Sequence, residues 1–108
     1  MQGAKEVKRV NKRVRAAVVE RAAGCCERCW FWLGDDGHLD HFFGRKNAPE
    51  TISTCWYLCP KCDDAKTTNN PSARRWVELF IVHCGLNGYG AEAERASVRL
   101  DVLRAKGF

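Results

Sequence analysis

No stretch of this 108-residue chain is apolar for the roughly 18 residues that a membrane-crossing helix needs, and its charged N-terminus leads into no apolar segment of the kind that directs export. Internal repeats and low-complexity tracts are missing as well. These absences argue against an integral membrane protein, a secreted precursor and a repeat array, so a soluble protein with no membrane partner is expected, in the cytoplasm. The length allows one domain, residues 1–108, with a modest core that an additional staple would help to hold.

Cysteine, by contrast, is abundant: seven residues, an odd number. Without an export signal, metal ligation explains them better than disulfides do. Two Cys-x-x-Cys units, Cys26/Cys29 and Cys59/Cys62, supply four soft ligands at the spacing that lets each pair wrap one side of a tetrahedral Zn²⁺. Four thiolates leave no open position, which makes such a site structural. Cys25 could replace Cys26, although the two-residue spacing favours Cys26; Cys55 and Cys84 sit among apolar residues and read as buried hydrophobes. An ordinary zinc ribbon separates its knuckles by about 15–20 residues. Here 29 intervene, and they carry His38, Asp40 and His41, while Asp63 and Asp64 follow the second knuckle directly.

The net charge of +5 is concentrated in residues 1–28, which hold eight Lys/Arg against three Glu. Val7, Val10, Val14, Val18 and Ala22 recur at helical spacing, so a basic helix over residues 4–23 is expected, with Lys8, Arg9, Lys12 and Arg13 available to a polyanion. A merely solvated helix face is the simpler alternative. Gly34-Asp35-Asp36-Gly37 marks a turn, predicting a hairpin between the aromatic run Trp30–Leu33 and the segment 38–43. Residues 44–54 read as a loop. A short helix is expected from about Asp63 to Thr68, a second from Asn70-Pro71 to His83 or Cys84 with Gly85 as its stop, and a third over 91–106 with Ala96, Leu100 and Leu103 inward. The four tryptophans are expected mostly in the core, with stacking on unpaired bases as the other use for one of them.

The string Cys26-x-x-Cys29, Leu39-Asp40-His41, Leu58-Cys59-x-x-Cys62-Asp63-x-x-Lys66-Thr67 resembles the HNH endonuclease family over roughly residues 15–70. The resemblance implies an α+β fold: a small zinc-stabilised ββα-metal core at about 24–70, preceded by the basic helix and followed by two additional C-terminal helices in 71–108. It implies a metal-dependent DNA endonuclease, of a small phage type acting in the host cytoplasm. His41 matches the general base, while Asp40 and Asp63 match the ligands of one divalent ion that would neutralise the phosphorane. Thr54 stands where the family has its middle Asn, and Asp63 where it has a final His or Asn. Oxygen ligands favour Mg²⁺ or Mn²⁺ over softer ions. Asp64 is the ligand if the helix is turned by one residue. Arg45 and Lys66 are candidate phosphate contacts and His38 shares a strand face with Asp40, each with a solvated side chain as the alternative. His83 reads as a satisfied, partly buried histidine. Two other functions fit the same chain: a zinc module that binds nucleic acid without cutting it, and a protein–protein adaptor using the helices after residue 70.

Overall fold

The computed structural model describes residues 11–68 and 73–107; the side chains of 66–68 are outside that description. Helix α1, Lys12–Ala22, begins where Asn11 Oδ1 accepts the N–H groups of Arg13 (2.9 Å) and Val14 (3.3 Å). It ends where Ala23 (φ 53°) and Gly24 (φ 73°) enter the left-handed region and return their N–H groups to Glu20 and Val19. The single helix expected over residues 4–23 is therefore corrected: Asn11 has an extended backbone (ψ 116°) and interrupts it, because its side chain caps the helix that starts at Lys12, while residues 4–10, with Lys8 and Arg9, lie outside the described residues.

The predicted hairpin is corrected. Strand β1, His38–His41, pairs antiparallel with β2, Cys55–Leu58, across the loop 42–54; Asp40 lies opposite Trp56 and His41 opposite Cys55. The aromatic run cannot be the partner because its backbone is used by the first knuckle. Cys26 N–H bonds Phe31 O (2.8 Å), Trp30 N–H bonds Cys26 O (2.8 Å) and Leu33 N–H bonds Gly24 O (2.7 Å), leaving a single bridge between Trp32 and Cys25. The Gly34–Gly37 turn serves instead as a clamp on β2. Tyr57 Oη donates to Gly34 O (2.7 Å) and accepts Gly37 N–H (2.8 Å), and its ring lies where a Cβ on Gly37 would be 2.4 Å away.

All four residues of β2 are buried, so the two-stranded sheet is covered on both faces. Cys55 and Tyr57 meet Val18 and Ala22 of α1 on one side. Trp56 and Leu58 join Phe42, Trp76, Phe80 and Ala96 in the larger core on the other. Phe42, which follows β1 directly, stacks on Phe80 at 3.8 Å and 2°.

Helix α2, Pro60–Thr68, starts three residues earlier than expected because Pro60 occupies its first turn, where a missing N–H costs nothing. Helix α3, Ala73–Asn87, runs through Gly85; the stop is Gly88, at φ 76°. The proposed Asn70-Pro71 start lies outside the described residues. Helix α4, Gly90–Ala105, packs against α3 with Ala96 and Leu100 buried, as its periodicity predicts. The chain is thus a small α+β protein, and no described helix is long and apolar enough to cross a membrane.

The tryptophans divide. Trp56 and Trp76 are core, but Trp30 and Trp32 are 67% and 70% exposed, with Phe31 between them at 67%. That part of the core expectation fails because the knuckle fixes the backbone of the run and turns its side chains outward.

Candidate functional site

The sulfurs of Cys26, Cys29, Cys59 and Cys62 lie within 4.8 Å of one another, the sole group of three or more potential ligands of this kind among the described residues. Cys29 and Cys59 Sγ are 3.7 Å apart, against about 3.8 Å between thiolates arranged tetrahedrally at zinc–sulfur distance. All four cysteines are free. The knuckle turns aim backbone N–H groups at the sulfurs: Arg28 and Cys29 at Cys26 Sγ, and Cys62 at Cys59 Sγ, each at 3.4 Å. Burial raises the Cys26 thiol, but the backbone N–H groups of Cys29, Cys59 and Arg28, with the Cys29 thiol, outweigh it and bring it to about 7. Cys62 is pushed well up by burial, by its neighbouring sulfurs and by the charge on Cys26. Four crowded thiols cannot all ionise alone; a dication resolves the conflict, and the donor set can hold a metal such as zinc. Cys25, outside the cluster, stays an unused alternative, and Cys55 and Cys84 are fully buried as expected.

Both halves of the cluster are tied to the fold. Glu27, between the first two cysteines, takes Arg21 Nη2 (2.6 Å) and Nε (2.8 Å), and accepts Tyr57 N–H (2.9 Å). Arg21 also donates to Cys55 O (3.0 Å) and Tyr89 Oη (3.2 Å), so one side chain links α1, the knuckle, β2 and the α3–α4 turn. Sequence reading missed this network, since neither residue carries a motif.

The residues singled out between the knuckles fall into pairs. Asp40 is buried and accepts Trp56 Nε1–H at 2.8 Å. Asp63, in the first turn of α2, approaches His38 Nδ1 at 2.9 Å. Alternation places His38 and Asp40 on one face of β1, the face toward α2 and the larger core. His41 is on the other face, with its Nε2 2.5 Å from Glu50 Oε1. The structure therefore joins Asp63 to His38 and His41 to Glu50, and it does not gather Asp40, His41 and Asp63 into one three-donor cluster. Glu50 had no signal in the sequence. Burial raises its carboxyl, but bonds from His41 and from Asn11 N–H outweigh burial and leave it below its usual range.

Thr54 is buried, and its hydroxyl donates to Pro49 O (2.7 Å) and accepts Thr51 N–H (3.0 Å). It thereby braces the turn that presents Glu50. Arg45 is exposed but close enough to Glu50 to lower it electrostatically; Asp64 is exposed on α2. Lys12 and Arg13 are exposed on α1. His83 is more buried than its sequence suggests: its Nε2 has no hydrogen-bond partner, and burial lowers its pKa to about 4. No family model, characterised protein or solved structure matches the chain.

Proposed function

We propose that this protein is a metal-dependent DNA endonuclease of HNH type, with a structural zinc in the four-cysteine cluster. The observation that carries the proposal is the order strand, loop, strand, helix beside that cluster. The first strand ends on Asp40-His41, and the helix brings Asp63 to the face that Asp40 shares. Asp40 and Asp63 would hold a hard cation, Mg²⁺ or Mn²⁺, whose chemistry is to neutralise charge building on the scissile phosphate. Asp63 then exchanges its contact with His38.

The chain's own contribution centres on His41. A carboxylate at Nε2 selects the tautomer with hydrogen there, so the lone pair is on Nδ1. Nδ1 would take a proton from the attacking water, which requires the scissile phosphate to lie across the end of β1, since Asp40 and His41 point to opposite faces of the strand, and Glu50 would stabilise the resulting imidazolium. Thr54 supports this arrangement through the turn, in the place of the family's Asn. The exposed cations of α1 suit phosphate contact.

Zinc-loaded protein incubated with supercoiled plasmid and Mg²⁺ or Mn²⁺ should nick or linearise it. His41→Ala and Asp63→Ala, with zinc content unchanged, should lose about 10²–10⁴-fold in rate for the base and comparably for the ligand. A parent protein that binds the plasmid and leaves it intact at every metal concentration returns the chain to the non-cutting nucleic-acid-binding reading.

A further inference from the structure

The return arm of the first knuckle combines a rigid backbone with unusual exposure. Residues 30–33 are fastened by the three hydrogen bonds to Gly24 and Cys26, yet Trp30, Phe31 and Trp32 are each about two-thirds open to solvent. Trp30 holds this display at φ 70°, a left-handed backbone that a bulky residue adopts only under constraint. Trp32 is braced. Its six-membered ring lies 3.2 Å from where a Cβ on Gly34 would be, and its Nε1 3.3 Å from the corresponding point on Gly24. The indole therefore rests on glycine backbone, ready-oriented, with most of its surface open to water. Three adjacent open rings on a hydrogen-bonded arm are a large apolar display for so small a protein, of the sort that marks a binding surface.

The charge around the arm indicates the partner. Phe31 borders a hollow of about 480 Å³ between the two knuckles, where, the cluster cysteines apart, the charged lining among the described residues is Arg28 and Lys61, both cationic. Beyond Trp32, the turn 35–37 exposes Asp35 and Asp36 and is held by Arg15, which donates to Asp35 O and Gly37 O, so the cationic side of the arm is the one toward Arg28 and Lys61. Fixed rings flanked on one side by Arg28 and Lys61 match a polyanion with open aromatic faces. In a duplex those faces are hidden by stacking; in a single strand they are free.

We infer that the Trp30–Trp32 arm is a stacking platform for the unpaired bases of a nucleic-acid strand, with Arg28 and Lys61 on its phosphates. This holds whether or not the protein cleaves DNA.

The test is equilibrium binding of zinc-loaded protein to a fluorescent oligodeoxythymidylate of 12 nucleotides and to a duplex of equal length, without Mg²⁺ or Mn²⁺. The single strand should bind more tightly. Trp32→Leu and Phe31→Leu keep the surface apolar and remove the π face, so each should weaken single-strand binding by about 5- to 150-fold and leave duplex binding and zinc content unchanged. Arg28→Gln with Lys61→Gln should flatten the salt dependence of single-strand binding. Affinity for the oligonucleotide that is unchanged in both leucine variants overturns the inference. So does a finding that these variants dissociate a dimer without changing that affinity, because the rings then serve a second copy of the chain. Loss of zinc from the glutamine variants, with salt dependence unaltered, also overturns it, since the two cations would then only balance the thiolates.

Discussion

Arg21 of α1 grips Glu27 of the first knuckle through two parallel bonds of 2.6 and 2.8 Å, and both side chains are almost out of contact with water. This ion pair ties the helix to the residue between the first two cysteines of the cluster. Leaving either charge alone is therefore costly.

Arg21→Met should lower unfolding free energy by about 3–5 kcal/mol, the usual effect of stranding one member of a buried pair. Combining it with Glu27→Met should recover part of the loss, because no charge then remains unpaired. Urea denaturation of the two single variants and the double one measures the coupling. Additive effects would mean that the two residues act separately.

Serine in place of Cys26, Cys29, Cys59 or Cys62 should yield protein without bound zinc that is unfolded or insoluble, whereas Cys25→Ser should retain one zinc per chain. Elemental analysis of purified protein checks both. Chelator should unfold the parent in the same way, with a loss of helical circular dichroism.

Glu50→Ala should lower kcat for cleavage with KM little changed. The loss should be smaller than the about 10²–10⁴-fold expected for removing the base itself. Thr54→Val frees the turn that presents Glu50, and should act in the same direction more weakly. A Glu50→Ala protein with parental kcat would leave Glu50 as the partner of Asn11 alone.

His83 makes stability depend on pH. Its folded pKa, about 4, is below the 6.5 of an unperturbed imidazole, because burial disfavours the cation more than Glu27 favours it. Between these values the unfolded chain binds the extra proton. Stability is therefore fully present above about pH 6.5 and is lost as pH falls toward 4, by up to about 3 kcal/mol. His83→Phe should remove this part of the acid sensitivity; the difference between the two proteins, followed by thermal unfolding across that range, isolates it from protonation of the cysteines.

Local chemistry determined what the sequence by itself could reveal. Two Cys-x-x-Cys units are complete ligand pairs wherever the chain goes, so the four-cysteine cluster was legible from spacing. Helices α1 and α4 followed from periodicity and Gly24 marked the end of α1, but its start at the Asn11 cap did not, because the apolar spacing continues through that residue. The partner of β1 was not legible in this way. The turn residues 34–37 suit a hairpin as well as they suit the clamp on Tyr57, and only packing decides, since β2 is buried on both faces while the aromatic run spends its backbone bonds on the knuckle. The same holds for the pairs that surround the candidate site. Asp40-His41 is visible in one dimension, but His41 meets Glu50 across a loop and Asp63 meets His38 from another element. Arg21, Glu27 and His83 come together from three elements. Such contacts are between residues remote in sequence and obey no period, so tertiary structure alone selects them.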